Sequence, residues 1–252
     1  MNKLPGRIAV VTGSSRGIGA AIARLFASEG AAVVVHGRDR TAVAAVTSEI
    51  EQAGGRALAA IADLTDYEQV VSMRDSIEGS LGTVDILVAN AGGSPIRPSP
   101  LEDITEEDWR ASVDANLTAT FLTVKAFLPG MKQRGQGIII TMSSAAARRP
   151  NPGSPMAYAA AKAGIELLTK EIAAQAGPHG VRANCIAPET ILTESNQQQI
   201  PTDVQAQLRE IHPIRRLGTP EDVAHAALYL ASEHSSWVSG ITLDVAGGSV
   251  LV

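Results

Sequence analysis

Apolar runs of strand length recur along the chain: 7–12 (RIAVVT), 31–36 (AAVVVH), 56–62 (RALAAIA), 84–90 (VDILVAN), 137–143 (GIIITMS), 180–187 (GVRANCIA) and 240–245 (GITLDV). They are continuous rather than alternating, the pattern of strands buried on both faces. Between them lie segments of helical periodicity, such as GAAIARLFASEG and TAVAAVTSEIEQAG. The spacing from Thr65 to Glu68 predicts a capping box before the third helix, and Thr219-Pro220-Glu221-Asp222 predicts a cap and an N1 proline before VAHAALYLASE. Gly30 and Gly54 read as helix stops. Strand and helix alternate to the end, so the pattern predicts an α/β fold with a parallel sheet and helices on both faces. With no linker and no internal repeat, it predicts one domain over residues 1–252.

One stretch breaks the alternation. After Pro188 comes ETILTESNQQQIPTDVQAQLREIHPIRR, polar and rich in glutamine. A long excursion at the carboxyl end of a late strand reads as a binding loop or lid, here at about 189–216.

Composition narrows the function classes. The chain has 252 residues, 45% hydrophobic and 19% charged, with a net charge of −5. Basic residues are scattered, so no nucleic-acid footprint is expected. No apolar run is long enough to span a bilayer, and MNKLPGRIAVV enters a strand without a cleavage site, so neither membrane insertion nor secretion is expected. A single cysteine, Cys185, in the apolar stretch ANCIA fits a reducing cytoplasm and an inert core position. The five histidines show no ligand spacing, and no metal centre is inferred.

Two motifs carry chemistry. VVTGSSRGIGAAIA places Gly13, Gly17 and Gly19 between the first strand and the first helix. Such a turn lets backbone approach a phosphate while the helix N-terminus offers N–H groups to an anion. In MAYAAAKAG, Tyr158 and Lys162 stand four residues apart, separated only by alanine. On a helix they share a face, setting a phenol beside an ammonium.

TGSSRGIG, ANAG at 89–92, Asn116 in DANL, Ser144 in TMSSAA, and YAAAK together resemble the short-chain dehydrogenase/reductase family, in its single-domain branch. GTPEDVA at 218–224 and DVAGG at 244–248 extend the likeness over nearly the whole chain. The resemblance is strongest to 3-oxoacyl-(acyl-carrier-protein) reductases. It implies a Rossmann-type doubly wound sheet of seven parallel strands, a nicotinamide cofactor, and hydride transfer between that cofactor and a carbonyl or alcohol. It also implies a homotetramer, in keeping with the apolar terminus GGSVLV and with Ile165, Leu167, Leu168 and Ile172 on more than one side of the Tyr158 helix.

The catalytic set implied is Asn116, Ser144, Tyr158 and Lys162. An ammonium beside the phenol favours its ionised form, so Tyr158 is expected to have a lowered pKa and to serve as acid or base. By resemblance Lys162 also holds the nicotinamide ribose, Ser144 bonds the substrate oxygen, and Asn116 holds a water that connects Lys162 to solvent. Ser143 and Ser144 point to opposite strand faces. The family pattern selects Ser144, although it lies 14 residues before Tyr158, one more than is usual, with the extra residue in RRPNPGSP.

The expected cofactor contacts are Gly13, Ser15, Arg16, Gly17, Ile18, Gly19, Arg38, Asp63, Leu64, Asn90, Ala91, Gly92, Tyr158, Lys162, Pro188, Ile191 and Thr193. Dinucleotide folds distinguish NAD from NADP by the residues just after the second strand. Here VVVHGRDR puts Arg38 at the ribose, with Arg16 nearby and Asp39 toward solvent, so NADP(H) is expected over NAD(H). Asp63 is expected at the adenine amino group, and Asn90 and Ala91 at the adenine ribose. Where the family has Pro-Gly after the sixth strand, this chain has Pro188-Glu189. Glu189 either contacts substrate or starts the lid differently. Arg97, Arg148 and Arg149, in loops expected near the pocket, either meet an acid or a phosphate or are solvated charges.

The leading expectation is an NADPH-dependent carbonyl reductase acting on 3-oxoacyl thioesters or related ketones. His179 in GPHGVR weakens the acyl-carrier reading, because those reductases tend to carry a more basic docking surface. A sugar, polyol or other secondary-alcohol dehydrogenase is the alternative. A dinucleotide-binding regulator without chemistry ranks last, because the chain keeps both Tyr158 and Lys162.

Overall fold

The structure is a computed structural model that describes residues 2–94, 96–151 and 153–250. Seven strands form one sheet: β1 (Ile8–Val11), β2 (Ala32–Gly37), β3 (Arg56–Ile61), β4 (Ile86–Ala89), β5 (Gly137–Met142), β6 (Val181–Pro188) and β7 (Thr242–Val245). Their order is β3-β2-β1-β4-β5-β6-β7, and every pair is parallel. The strands match the apolar runs, and the doubly wound α/β architecture is as the alternation requires.

Successive side chains of the central strands enter two cores. Ala9, Val11, Val33, Val35, Ile86 and Val88 face the layer of α1 (Gly17–Ser28), α2 (Arg40–Gln52) and α9 (Pro220–Ala231). Val10, Val34, Leu87 and Ile139 face α3 (Tyr67–Leu81), α5 (Ala119–Arg134) and α6 (Met156–Ala176). A strand apolar at every position can sit only between two such layers, and so no polar/apolar alternation is seen.

Local signals agree with the structure, with one exception. Gly30 and Gly54 follow α1 and α2 at φ +92° and +82°, a left-handed conformation that glycine adopts without Cβ strain. At α9, Thr219 and Asp222 form the capping box, with Pro220 in the first turn. The third helix is capped one residue later than expected. Asp66, not Thr65, accepts from Glu68 N and Gln69 N, because the Thr65 hydroxyl donates to Asp63 at 2.7 Å.

The order of strands reverses between β1 and β4, whose connections leave to opposite sides and open a crevice at their carboxyl ends. Toward it lead the turn before α1, the loop after β4, the start of α6 and the excursion after β6. Between β4 and α5 the chain forms α4 (Glu106–Val113) and then a π-helical turn, Asp114–Thr118, that runs directly into α5. The excursion itself is partly helical: α7 (Glu194–Gln199) and α8 (Thr202–Ile211), closed at its base by a parallel bridge between Ile191 and Gly218. On α6, Ile165 and Ile172 are buried in the fold, Leu168 packs partly buried against the core, and Leu167 is exposed. Leu251 and Val252, the end of the apolar terminus, lie outside the described residues, as does Pro152 in the stretch that takes up the extra residue.

Candidate active site

Two cavities meet along the crevice. The larger, about 760 Å³, is lined by Gly13, Ser15, Arg16, Arg38, Asp63, Leu64, Asn90, Ala91 and Gly92, among others. The second, about 310 Å³, shares Gly13, Arg16, Asn90 and Gly92 with it and continues past Gly17, Ile18, Gly19, Ser144, Tyr158, Lys162, Pro188, Ile191 and Thr193. Except for Asn116, every residue expected to hold cofactor or do chemistry lines one or both. Asn116 is fully buried just behind the wall.

The glycine turn is held by side chains at or just past the ends of β1, β2 and β4. The Ser14 hydroxyl donates to Val11 O at 2.6 Å and accepts from His36 N at 2.9 Å. Asn90 Nδ2 donates to Thr12 O and Gly13 O, while Thr12 Oγ1 accepts from Asn90 N and Ala91 N. The N-cap residue of α1, Arg16, makes no side-chain cap. The first N–H groups of α1 therefore keep their capacity for an anion, which is what a pyrophosphate requires.

His36, which sequence reading passed over, completes this support. Its Nδ1 accepts from Gly13 N at 3.2 Å, and its Nε2 lies 3.2 Å from Ala62 O. The pair of contacts selects the neutral tautomer with the proton on Nε2. Burial opposes protonation and lowers the His36 pKa from 6.5 to about 4. The available signal was a histidine ending an otherwise apolar strand.

At the far end of β2 the ribose corner is shaped by Gly37. A Cβ there would stand 2.9 Å from Val43 and 3.1 Å from Ser15, so position 37 itself has no room for a side chain. Arg38 is exposed beside it. Asp39 lines the cavity as well, while its Oδ1 accepts from Thr41 N and Ala42 N and caps α2. Asp63 accepts from Thr65 N and Oγ1, and these bonds lower its pKa.

At the other end, Lys162 is buried and donates to Met142 O at 2.8 Å. Its ammonium sits 5.6 Å from the centre of the Tyr158 ring. Burial lowers the lysine to about 8. Tyr158 moves the other way: burial raises its pKa, and the Ser144 hydroxyl pulls it down by less. The expectation that Lys162 lowers the tyrosine is therefore not met here. The desolvation cost of the phenolate is the larger effect, and the ammonium is turned onto a backbone carbonyl.

Gly92 lies against this group. A Cβ at 92 would be 2.6 Å from Asn116 Oδ1 and 3.2 Å from Lys162 Nζ, so only glycine leaves room. Asn116, in the π-helical turn, accepts from Gly93 N with Oδ1 and donates to Gly93 O and Ser112 O with Nδ2. Its amide staples the loop after β4 to the helix and has its oxygen and nitrogen engaged there. An extra residue in one helical turn is a recurrent way to place such a group.

Ser143 and Ser144 do face opposite ways. Ser144 caps a short turn and accepts from Ala146 N, while Ser143 is buried and donates to Glu166 and to Lys162 O. Glu166 in turn pairs with Arg148 at 2.7 Å, and Arg148 also reaches Asp244 at 3.1 Å. Arg148 is thus a partner of two carboxylates in the scaffold, not a solvated charge and not a contact for an acidic substrate. Arg97 and Arg149 are not among the residues lining the Tyr158 end. Glu189 does line it, and pairs with His212 at 3.0 Å.

The arrangement can hold an extended dinucleotide and set a phenol, a hydroxyl and an ammonium at one end of it. Comparison with known proteins agrees. Residues 13–249 match the model of the family described as Enoyl-(Acyl carrier protein) reductase. The chain is 39% identical over 248 residues to 7alpha-hydroxysteroid dehydrogenase of Escherichia coli, covering 98% of this chain and 96% of that protein. Among solved structures, a 3-oxoacyl-[acyl-carrier protein] reductase with bound NAD from Brucella melitensis is 37% identical with a TM-score of 0.91, covering 99% and 95%. A gluconate 5-dehydrogenase from Burkholderia cenocepacia in complex with NADP and tartrate is 35% identical with a TM-score of 0.92, covering 98% and 96%.

Burial of His36 predicts a pH dependence of stability. The unfolded chain takes up this proton near pH 6.5 and the folded chain only near 4. The stabilisation is complete above pH 6.5 and is lost as pH falls toward 4, by up to about 3 kcal/mol. Denaturant unfolding of the wild type and His36→Leu between pH 7 and 4.5 measures it. The wild type loses more stability than the variant over that range, and parallel curves would exclude this origin.

Proposed function

The chain belongs to the short-chain dehydrogenase/reductase family, and from that premise we propose that it is an NADP(H)-dependent oxidoreductase of carbonyl compounds and secondary alcohols. The observation that carries the reading is the convergence of Ser144, Tyr158 and Lys162 on one end of a continuous groove whose other end is flanked by Arg16 and Arg38. We read residues 1–252 as one domain acting in the cytoplasm, with 189–216 as its lid.

NADP(H) fits the residues present. The free N-terminus of α1 takes the pyrophosphate, Arg38 and Arg16 the 2′-phosphate, Asp63 the adenine, and Asn90 and Ala91 the adenine ribose. Lys162, Ile191 and Thr193 hold the nicotinamide half. When bound, the cofactor supplies or accepts a hydride. In the reductive direction Tyr158 donates its phenolic proton to the substrate oxygen, which Ser144 also hydrogen-bonds. A raised pKa keeps the phenol protonated and fit to donate. Lys162, lowered to about 8, can return a proton to the tyrosinate near neutral pH. Asn116 keeps Gly93 and the π-helical turn in place around the path to solvent.

Arg97 and Arg149 do not line the cavity and Arg148 is engaged, so none of the three supports an acidic substrate. A 3-oxoacyl thioester or related ketone is the first reading. A sugar, polyol or other secondary alcohol is the second, favoured by the polar wall of Glu189, Glu194, Ser195 and Asn196. Assays of ketones, 3-oxoacyl thioesters and sugars, read by cofactor absorbance, decide between them. Exposed Phe121 on α5 and Leu167 on α6 support assembly as a homotetramer, and a monomeric mass by light scattering at micromolar concentration would end that assignment.

Tyr158→Phe retains cofactor binding and loses at least about 10²-fold in turnover, the scale of a lost general acid. Near-normal turnover would remove Tyr158 from the chemistry.

Arg38→Asp reverses cofactor preference. The carboxylate repels the 2′-phosphate and bonds the free ribose hydroxyls of NAD. Because Arg38 is exposed, the wild-type preference for NADP is of the order of tenfold and shrinks with added salt. Comparison of kcat/KM for both cofactors tests this, and a wild type that prefers NADH would overturn it.

A further inference from the structure

Helix α8 has no buried side chain, and its Val204 and Ile211 are exposed. Burial of an apolar face therefore does not seat it. The next residue, His212, is only 2% exposed. Its Nδ1 lies 2.6 Å from Leu208 O, and its Nε2 lies 3.0 Å from Glu189 Oε2. Glu189 stands at the carboxyl end of β6 and lines the nicotinamide end on one side. On the other side it lines, with His212, a cavity of about 460 Å³. Backbone bonds fix the base of the segment: Leu192 N to Gly218 O, Gly218 N to Thr190 O and Ile214 N to Gly247 O. The Glu189–His212 contact ties the end of α8 to the sheet through side chains.

Both partners of the imidazole are acceptors. A neutral ring has one N–H and would turn the lone pair of its other nitrogen toward an oxygen. The pair satisfies both contacts only by holding one further proton, as imidazolium with carboxylate or as imidazole with carboxylic acid. Loss of that proton sets a lone pair against either the carboxylate or the Leu208 carbonyl, which is repulsive. The other charged groups around this cavity are engaged: Arg216 with Asp222, and Asp244 with Arg148.

We propose that Glu189 and His212 form a proton-holding latch that fastens the end of α8 to the carboxyl end of β6, beside the nicotinamide end of the groove. They are positioning residues and act on substrate through the lid, a consequence that rests on the site reading above. Glu189, the departure from the family's Pro-Gly, is then what allows the latch.

Hydrogen exchange of the full chain without cofactor tests this apart from catalysis. The quantity measured is the protection of amides 202–211 between pH 6 and 9, corrected for the intrinsic exchange rate. In the wild type, protection falls about tenfold or more as pH rises. In His212→Phe it is low at every pH. In Glu189→Gln it stays high at every pH, because the amide N–H donates to Nε2 of a neutral ring whose Nδ1–H keeps Leu208 O. Wild-type protection that ignores pH, His212→Phe as protected as wild type at pH 6, or Glu189→Gln with the wild-type pH dependence would each overturn the latch. In steady-state assays His212→Phe raises the substrate KM more than the cofactor KM. The expected exchange pattern in a protein inert toward every carbonyl tried would count against the site reading alone. Flat protection in an active enzyme would remove the latch alone.

Discussion

Burial of the central strands on both faces is the constraint on which the rest of the structure depends. A parallel strand sealed between two helical layers has no room for polar side chains along its length. Polar groups therefore collect where strands end, and because all seven run the same way, β1, β2, β4, β5 and β6 end on one edge. Thr12, His36, Asn90, Ser144 and Glu189 all sit at or just past those ends. The reversal of strand order between β1 and β4 then opens the edge into a groove.

That edge is costly to build, and the structure shows how it is held. Lys162 is an ammonium inside the protein with a single carbonyl partner, a situation that burial makes unfavourable and that lowers its pKa. The surrounding contacts leave it little alternative. Ser143, Glu166, Arg148 and Asp244 form a chain of bonds that runs from the backbone of Lys162 to the end of β7. Since Arg148 lies four residues after Ser144, and Glu166 four after Lys162, the chain joins the two segments that carry the reacting groups. Breaking one member leaves a partner charge poorly solvated, so the chain of bonds ties the ends of β5 and β7 to the first half of α6.

Much of this was legible in the residues. Continuous apolar runs mark doubly buried strands because a strand with one wet face would have to alternate. The glycine turn, the Tyr158–Lys162 spacing and the two serines report local geometry, and local geometry survives in sequence. The cap of the third helix falls one residue past Thr65 because two neighbouring side chains, Thr65 and Asp66, could each serve. The choice between them was made by Asp63, which claims the threonine hydroxyl.

Order, spacing and burial pattern are properties of short stretches, and by themselves they determined the α/β class, the strand positions, the glycine turn and the shared face of Tyr158 and Lys162. The other groove residues were expected from the family resemblance. Tertiary structure decided what depends on pairs distant along the chain. It assigned Arg148 to Glu166 and Asp244, Glu189 to His212, and His36 to Gly13 and Ala62. It also set the direction of the Tyr158 pKa, because desolvation is measured by how many groups from elsewhere in the fold exclude water from the phenol. Sequence spacing reports that a lysine is near. Only the folded packing says how deeply both are buried, and here burial raises the phenol against the smaller pull of the Ser144 hydroxyl and lowers the ammonium.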